Sequence, residues 1–535
     1  MNTTSKLLEI SNLYVSFDKG NKEIEAVKGI TLNVERGEAV GIVGESGSGK
    51  SVTALSILKL LPYPYAWHKD GSIKFKDNDL LNASDKTIRA IRGDKIAMIF
   101  QEPMTSLNPL RSIEKQISEV LEIHKGIKGK EARKRVLELL EKVGLNEAES
   151  RLKALPHELS GGQRQRVMIA MALAGEPELL IADEPTTALD VTIQAQIIEL
   201  LLKLKEEMNM ALILITHDLS LVKKATTKLY LMKNGKIVET GKTKDVLTNP
   251  RHEYTKRLIA SVPKGEPLNV SLDSELLLKT DKLNVHFPLK KNFWGKPLSY
   301  IKAVNDIDLN LKQGTTLGLV GESGSGKTTL GLALMRLISS KGTVVFNSSN
   351  LSNLGFKKLK PFRKDMQIVF QDPFGSLSPR MSIGDIVTEG LAVHKIGLNH
   401  QERLKIAANV LEEVGLDKSA LNRYPHEFSG GQRQRISMAR ALILKPKLII
   451  FDEPTSALDV SIQAQIIDLL KTLQNKYNLT YIFISHDLKV VKALAHEIAI
   501  MKDGKIIEFG TSFEVFKNPK NDYTKNLIAS AFDFV

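Results

Sequence analysis

GESGSGKS at Gly44–Ser51 and GESGSGKT at Gly321–Thr328 each follow an apolar run, AVGIV in the first case and TLGLV in the second. The pattern G-x-x-x-x-G-K-[ST] between a strand and a helix predicts a phosphate-binding loop, because its glycines let backbone N–H groups close around phosphate oxygens. The lysine of such a loop bridges phosphate oxygens, and the final hydroxyl residue ligates Mg²⁺. Two copies in the same context predict two nucleoside triphosphate sites.

The rest of the chain repeats as well. SGGQRQR occurs at Ser160–Arg166 and again at Ser429–Arg435, and Asp183–Leu201 matches Asp452–Leu470 at 16 of 19 positions. Short β-branched runs alternate with helical patterns in each copy, which is typical of a largely parallel sheet flanked by helices. We therefore expect two α/β domains of the same fold in tandem.

The domain boundaries follow from this repeat. Residues 263–275, PKGEPLNVSLDSE, are polar and contain two prolines, as expected of a linker. LEISNLYVSF lies near the start of the first half and LKTDKLNVHF near the start of the second. These patterns predict a first domain at residues 1–262 and a second at residues 276–535, each ending in a C-terminal tail.

The composition narrows the class of protein. The chain has 535 residues, of which 42% are hydrophobic and none is cysteine, so disulfides, thiolate zinc sites and iron–sulfur clusters are excluded. No apolar run approaches the roughly 20 residues that span a bilayer. The net charge of +14 leaves nucleic acid or anionic lipid open as a partner, and a solvated lysine-rich surface is an equal alternative.

Two acidic residues end an apolar run in each half, LLIADE at Leu179–Glu184 and LIIFDE at Leu448–Glu453. A single carboxylate at a strand end more often caps the following helix, but the duplication beside a phosphate loop favours chemistry. In P-loop NTPases the first acid holds the Mg²⁺ shell and the second polarises the attacking water. The residues concerned are Asp183 and Glu184 in the first copy and Asp452 and Glu453 in the second.

With SGGQRQR preceded by Leu159 or Phe428, these motifs make the sequence resemble the ABC ATPases over nearly its whole length. The resemblance implies in each half a RecA-like parallel-sheet core, an antiparallel β subdomain and a helical subdomain that carries the signature motif. It also implies that ATP lies between the phosphate loop of one half and the signature of the other, so that the two halves pair within the chain. The signature residues are Ser160, Gly162 and Gln163, and Ser429, Gly431 and Gln432.

Four further elements of the family have a match in both halves. They are a Q-loop glutamine that contacts Mg²⁺ or the water, a switch histidine 33 residues after the catalytic glutamate, a D-loop aspartate that links the two sites, and an aromatic residue against adenine. For the aromatic residue, core packing is the alternative. In this order the pairs are Gln101 and Gln371, His217 and His486, Asp190 and Asp459, and Phe17 and Phe287.

The resemblance and the motifs together predict three sets of site residues. The expected ATP contacts are Phe17, Gly44, Glu45, Ser46, Gly47, Ser48, Gly49, Lys50, Ser51, Val52, Ser160, Gly162, Gln163, Phe287, Gly321, Glu322, Ser323, Gly324, Ser325, Gly326, Lys327, Thr328, Thr329, Ser429, Gly431 and Gln432. The expected catalytic residues are Glu184, His217, Glu453 and His486. The expected Mg²⁺ ligands are Ser51, Gln101, Asp183, Thr328, Gln371 and Asp452.

QEPMTSLNP and QDPFGSLSP at the two Q-loops, and the tails NPRHEYTKRLIASVP and NPKNDYTKNLIASAF, resemble the peptide, dipeptide and nickel importer ATPases. Two such subunits are fused here, as in the ATPases of microcin C and related oligopeptide importers. The resemblance implies that hydrolysis of Mg²⁺-bound ATP powers uptake through two permease subunits and, through them, an extracytoplasmic substrate-binding protein. The chain is then a peripheral protein at the cytoplasmic face of the inner membrane. Many relatives of the first type carry a cysteine cluster that is missing here.

A second hypothesis is a twin-ABC ATPase that acts on ribosomes or nucleic acid, which would suit the basic charge. Such proteins usually join their halves by a long charged linker, whereas residues 263–275 are short. The linker and the importer-like tails favour transport, so no direct nucleic-acid partner is expected. A DNA-repair ATPase of this family would bring zinc cysteines or a long coiled coil, which the sequence lacks. No residue indicates which substrate is carried.

Overall fold

The computed structural model of the protein describes residues 6–18, 20, 22–187, 189–261, 265–268, 274–291, 297–456 and 458–532. The expected linker at residues 263–275 is described only at 265–268 and 274–275. The chain divides into two compact units, the first holding residues 1–189, 193–260 and 534–535 and the second residues 190–192 and 261–533.

Each half contributes ten strands to the described part of the chain. In the first half they are β1 Lys6–Asp18, β2 Glu23–Glu35, β3 Ala39–Val43, β4 Ala66–Phe75, β5 Asn78–Asp79, β6 Ile96–Ile99, β7 Leu179–Asp183, β8 Ala211–Thr216, β9 Lys228–Lys233 and β10 Lys236–Lys242. In the second half they are β11 Leu276–Lys291, β12 Pro297–Lys312, β13 Thr316–Val320, β14 Lys341–Phe346, β15 Ser349–Asn350, β16 Met366–Val369, β17 Leu448–Asp452, β18 Thr480–Ile484, β19 Glu497–Lys502 and β20 Lys505–Thr511.

The helices follow the same order in both halves. In the first half they are α1 Lys50–Ile57, α2 Asp85–Ile91, α3 Pro103–Ser106, α4 Ile113–Lys125, α5 Gly129–Lys142, α6 Ala148–Arg151, α7 Gly161–Leu173, α8 Val191–Glu207, α9 Leu219–Ala225, α10 Thr243–Thr248 and α11 Glu253–Ala260. In the second half they are α12 Lys327–Leu334, α13 Phe356–Asp365, α14 Pro373–Ser376, α15 Ile383–Val393, α16 His400–Glu413, α17 Gly430–Leu442, α18 Val460–Tyr477, α19 Leu488–Leu494, α20 Ser512–Lys517 and α21 Asp522–Phe532. Short 3-10 helices occur at Pro156–Glu158, Lys418–Asn422 and Pro425–Glu427.

Each unit contains two sheets. The central sheet of the first unit has the order β6-β7-β8-β3-β9-β10, in which neighbours are parallel except for the antiparallel edge pair β9 and β10. The second sheet, β2-β1-β4-β5, is antiparallel. The second unit repeats both orders as β16-β17-β18-β13-β19-β20 and β12-β11-β14-β15. The predicted fold class, a parallel core with an antiparallel β subdomain and a helical subdomain in each half, is confirmed.

The central strands are apolar throughout because both of their faces are covered. Along β7, Leu179 and Ile181 pack into a core shared with the antiparallel sheet and α1, whereas Leu180 and Ala182 pack into a core shared with α4, α5, α7 and α8. Successive side chains of a strand point to opposite faces of the sheet. When layers cover both faces, both sets of side chains are buried and therefore apolar. This explains the uninterrupted apolar runs that precede each site motif. None of the described helices is long and apolar enough to cross a membrane.

Candidate functional site

The predicted phosphate loop, acidic residues and histidine of each unit lie at or after the carboxyl ends of neighbouring strands. β6, β7, β8 and β3 are adjacent and parallel, so their carboxyl ends share one edge of the sheet. The phosphate loop follows β3, Asp183 ends β7, and His217 comes directly after β8. Ligands of open α/β sheets bind outside this edge. The same edge of the second unit carries the corresponding residues, so the sheet order itself assembles each site.

The phosphate loop turns into its helix through residues in the left-handed region. Gly47 and Gly49 have φ angles of +76° and +101°, and Gly324 and Gly326 have φ angles of +82° and +102°. Side chains rarely adopt such angles without strain. α1 and α12 then begin at the loop lysines, so the free N–H groups of each first helical turn lie where the motif expects phosphate.

The first glycine of each loop is required for a different reason. A Cβ on Gly44 would lie 2.2 Å from the carbonyl oxygen of Met232, and a Cβ on Gly321 would lie 2.1 Å from that of Met501. Both carbonyls belong to central-sheet strands, β9 and β19, so neither obstacle is a flexible side chain. The loop therefore lies directly against the backbone of the neighbouring strand.

The loop lysines are buried and held by the loop itself. Lys50 Nζ donates to the carbonyl oxygens of Gly44 at 2.7 Å and Glu45 at 2.8 Å. Lys327 Nζ donates to those of Gly321 and Glu322, both at 2.8 Å. Burial lowers the pKa of Lys327, although the neighbouring carboxylates partly oppose the shift. A poorly hydrated ammonium in this position is a strong partner for phosphate oxygens.

A hydroxyl and a carboxylate meet beside each loop. Ser51 Oγ donates to Asp183 Oδ1 at 3.1 Å, and Thr328 Oγ1 donates to Asp452 Oδ1 at 2.9 Å. Burial raises the pKa of Asp183 to about 6 and also raises the pKa of Asp452. Among the described residues no group of three His, Cys, Asp or Glu side chains could hold a metal alone. This two-oxygen set fits Mg²⁺, which keeps several waters and binds through one or two protein oxygens plus substrate phosphates.

Glu184 is the centre of a hydrogen-bonded cluster. Gln101 Nε2 donates to Oε2 at 2.9 Å, Thr187 Oγ1 donates to Oε2 at 3.0 Å, and His217 Nδ1 lies 3.4 Å from Oε1. Burial alone would raise the pKa of Glu184, but the hydrogen bond and charge of His217 and the charge of Lys50 lower it to about 2. The side chain is therefore a carboxylate that can orient and polarise a water molecule.

The second half builds the same cluster around Glu453. Gln371 Nε2 donates to Oε2 at 2.9 Å, and His486 Nδ1 lies 3.3 Å from the same oxygen. Burial would raise the pKa of Glu453, but His486 lowers it; burial would lower the pKa of His486, but the hydrogen bond and charge of Glu453 raise it. Both glutamates have a positive φ, +45° for Glu184 and +46° for Glu453. Such strain in a residue other than glycine is typical of functional positions.

The signature residues begin a helix in each unit. Ser160 caps α7 by accepting from Gln163 N–H at 3.3 Å, and Gln163 Oε1 accepts from Ser160 N–H at 3.0 Å. Ser429 and Gln432 form the same reciprocal cap on α17. Both serines are exposed. A solvent-facing helix start with glycine amides can donate to an anion.

Small side chains are needed just inside these helices. A Cβ on Gly162 would lie 3.0 Å from Ile193 Cγ2, and one on Gly431 would lie 2.8 Å from Ile462 Cγ2. Ile193 and Ile462 belong to α8 and α18, the helices that follow the D-loop aspartates. Asp190 directly precedes α8, and Asp459 occupies the cap position of α18. The signature helix thus packs closely against the start of the D-loop helix in each unit.

The aromatic residues expected against adenine differ in exposure. Phe17 lies near the end of β1, pairs with Ile24 and Ala66, and packs partly buried against the core. Phe287 on β11 is 44% exposed. Phe287 is therefore more accessible to a base than Phe17, and both assignments stay predictions.

Sequence reasoning missed several contacts of the loop and the cluster. Thr187 was not expected to bind Glu184, nor was the N–H of Gly235 or Gly504 expected to donate to the phosphate-loop carbonyl of Ser48 at 3.0 Å or Ser325 at 3.1 Å. The tail tyrosines Tyr254 and Tyr523 also contact the loops. The duplicated EYTK and DYTK segments were a signal for them, because the repeat marked these positions without indicating a role.

The loop geometry separates two kinds of glycine substitution. Gly44→Ala with Gly321→Ala should displace the loops and weaken ATP binding by more than about tenfold, because the new Cβ meets backbone at 2.2 and 2.1 Å. Gly47→Ala with Gly324→Ala meets nothing within 4 Å. The cost of that pair is the strain of an alanine in the left-handed backbone region, about 1–2 kcal/mol per residue. Titration with a fluorescent ATP analogue measures both pairs, and equal losses of affinity would contradict the steric explanation.

Comparisons with known proteins agree with this geometry. The family model described as ABC transporter matches residues 27–187 and 304–456, and the model described as Oligopeptide/dipeptide transporter, C-terminal region matches residues 238–276. Each match to ABC transporter covers a phosphate loop, a signature and the two acids after it. The predicted family and the predicted ATPase activity are confirmed.

Three relatives extend over almost the whole chain. A peptidoglycan transport ATP-binding protein YejF of Agrobacterium fabrum (strain C58 / ATCC 33970) is 56% identical over 99% of this chain and 97% of its own. An uncharacterized ABC transporter ATP-binding protein YejF of Escherichia coli (strain K12) is 51% identical over 98% and 99%. A glutathione import ATP-binding protein GsiA of Salmonella paratyphi A (strain ATCC 9150 / SARB42) is 43% identical over 98% and 89%. None of these three names mentions ribosomes or nucleic acid. The chain belongs to the ABC transporter ATPases and carries two of their ATP-binding domains in tandem.

Proposed function

We propose that this ATPase powers an importer of peptides or peptide-like substrates. The observation that carries the proposal is the match of residues 238–276 to the C-terminal region of oligopeptide and dipeptide transporters. The names of the relatives point the same way, because glutathione is a peptide and peptidoglycan contains peptides. This segment lies beyond the first stretch matched by the ABC transporter model, residues 27–187, so it is an observation separate from the family match.

In each site, different residues of the chain bind the triphosphate, would hold Mg²⁺ and orient the attacking water. The amides of the phosphate loop and the loop lysine hold the triphosphate, while Ser51 with Asp183, or Thr328 with Asp452, would hold Mg²⁺. The bound ion neutralises developing charge on the phosphates. Glu184 or Glu453 orients the attacking water, and the glutamine and histidine hydrogen-bonded to it fix its position. With a pKa of about 2, Glu184 is a weak base, so its main contribution is orientation and charge.

The two sites are completed across the two halves. The domains are residues 1–262 and 276–535, joined by the linker at 263–275, and they pair so that each signature contacts the ATP held by the opposite loop. Ser429, Gly431 and Gln432 serve the site of Lys50, and Ser160, Gly162 and Gln163 serve the site of Lys327. The exposed helix starts at both signatures support this pairing. ATP then stabilises the paired state, and hydrolysis releases it.

The partners are two integral-membrane permeases and, through them, an extracytoplasmic substrate-binding protein. The chain binds them as a peripheral protein at the cytoplasmic face of the inner membrane. We assign the permease contact to the segment after the first Q-loop, residues 103–158, in which Leu110 is 87% exposed and Ile123 is 68% exposed. Residues 373–427 hold the corresponding position in the second half. No direct contact with nucleic acid is part of this proposal.

The importer proposal is tested in cells that lack the gene. A tagged chain expressed there should restore uptake of labelled peptides and should co-purify with two permeases in detergent. The matched control is the Glu184→Gln and Glu453→Gln variant, which should co-purify equally but restore no uptake. Recovery of ribosomal particles without permeases would overturn the proposal.

The glutamate substitutions also separate binding from chemistry. Glu184→Gln with Glu453→Gln keeps the shape of each cluster but removes the charge, so kcat for ATP should fall about 10²–10⁴-fold while the Kd for ATP changes little. Turnover and binding of a fluorescent ATP analogue are measured on the full chain. Rapid turnover by this variant would remove both glutamates from the mechanism.

The pairing across the halves has a test in binding stoichiometry. Lys50→Ala should abolish one site, and adding Ser429→Ala should leave about one ATP per chain at unchanged affinity, because both changes fall in the same site. Adding Ser160→Ala to Lys50→Ala should instead weaken the remaining site several-fold. Equilibrium dialysis with labelled ATP reads both numbers. If the two serine substitutions behave alike, the sites are not shared between the halves.

A further inference from the structure

A tyrosine from the C-terminal tail contacts the phosphate loop in each unit. The backbone N–H of Glu45 donates to Tyr254 Oη at 3.1 Å, and that of Glu322 donates to Tyr523 Oη at 3.1 Å. The partners are 209 residues apart in the first unit and 201 in the second. Two halves that differ in tail sequence therefore build the same long-range hydrogen bond.

A lysine side chain lies over the ring of each of these tyrosines. Tyr254 is only 5% exposed, and Lys233 Nζ lies 4.8 Å from its ring centroid. Lys502 Nζ lies 4.7 Å from the ring centroid of Tyr523. A cation over an aromatic face is attracted to the ring. Burial raises the pKa of Tyr523 to about 12, so its hydroxyl stays protonated and remains an acceptor for the amide.

The helix that carries the tyrosine is itself anchored to the central sheet. Glu239 on β10 accepts the N–H of Arg251 at 2.8 Å and of His252 at 3.0 Å, just before α11, and also accepts the hydroxyl of Thr255. Burial would raise the pKa of Glu239, but these hydrogen bonds lower it and keep the side chain charged. A carboxylate at a helix N-terminus is stabilising.

The second unit repeats the anchor. Glu508 on β20 accepts the N–H of Lys520 at 2.8 Å and of Asn521 at 3.1 Å, just before α21. Burial would raise the pKa of Glu508, but these contacts lower it. A chain of contacts thus runs in both units from the sheet edge through the tail helix to the phosphate loop.

These contacts hold the two peptide groups that flank one loop residue. The carbonyl oxygen of Glu45 accepts from Lys50 Nζ at 2.8 Å, while its N–H donates to Tyr254. Glu322 is held in the same way by Lys327 and Tyr523. An amide that donates to the tyrosine is held in one orientation, so the tyrosine orients this part of the loop. Binding is strengthened when such a loop is ordered before its ligand arrives.

We propose that Tyr254 and Tyr523 are positioning residues that hold the two phosphate loops in the shape that binds ATP. They act through the amides of Glu45 and Glu322 and need not touch the nucleotide. The tail of each half thereby belongs to the ATP site of its own unit. This role depends on the ATPase activity of the chain and is independent of what the importer carries.

The test compares two pairs of conservative substitutions in the full chain. Tyr254→Phe with Tyr523→Phe keeps both rings but removes the hydroxyls that accept the loop amides. The matched control is Tyr230→Phe with Tyr481→Phe, one in each unit, which removes buried hydroxyls bonded to Asn33 and to the carbonyl of Leu470. Tyr254, Tyr230 and Tyr481 are buried and Tyr523 is partly buried, so each pair loses hydroxyl groups from the packed interior, and melting temperature measures the effect of each pair on folding.

The readout is the split between KM and kcat, together with the Kd for a fluorescent ATP analogue. The Tyr254 and Tyr523 pair should raise KM and Kd for ATP about three- to tenfold with kcat nearly unchanged, since an unpaired amide leaves the loop less ordered. The control pair should lower the melting temperature at least as much, because its hydroxyls are buried and hydrogen-bonded, but should leave KM and Kd unchanged. Unchanged KM and Kd in the first pair, or an equal rise in both pairs, would overturn the proposal.

Discussion

The close approach of the phosphate loop to the neighbouring strand constrains everything else in each site. At Gly44 and Gly321 the loop passes so near the carbonyl oxygens of Met232 and Met501 that a methyl group has no room. In the turn after this strand, the backbone N–H of Gly235 or Gly504 donates to a carbonyl oxygen of the loop. The tail tyrosine, Tyr254 or Tyr523, accepts a hydrogen bond from a loop N–H. Backbone contacts of this kind cannot be relaxed by changing a rotamer. The backbone of the central sheet therefore determines the shape of the loop, and the shape of the loop determines how it can bind phosphate.

The acidic pair shows how neighbouring carboxylates at one strand end acquire different chemistry. Asp183 is buried with one hydroxyl donor, and its pKa rises to about 6. Glu184 is partly buried, which would raise its pKa, but His217 and the charge of Lys50 lower that pKa to about 2. A carboxyl group whose charge is costly to bury gains most from a cation, which suits the residue assigned to Mg²⁺. Glu184 instead keeps its charge without a metal and has the positive φ that turns it away from the strand direction. The environment, more than the residue type, divides the two roles.

The sequence could predict what is local or repeated. The phosphate loops, the acidic pairs and the histidines follow from motifs whose spacing is duplicated, and the apolar runs between them predict buried, largely parallel strands. The tail tyrosines were beyond such reasoning, because their contact joins residues about two hundred positions apart and depends on how Glu239 or Glu508 places a helix. The unequal exposure of Phe17 and Phe287 was also hidden, since packing on the antiparallel sheet decides it. Contacts between residues so far apart in the sequence can be identified only in the folded structure.

The two halves offer an internal comparison of what the chemistry requires. Distances from glutamine to glutamate, from lysine to the loop carbonyls and from amide to tyrosine agree within 0.1 Å between the halves. Elsewhere they differ: Thr187 donates to the carboxylate of Glu184, whereas Ser456 donates to the backbone carbonyl of Glu453. Because Glu184 and Glu453 both have a positive φ and the same glutamine and histidine contacts, the geometry supports the proposal that both sites can work.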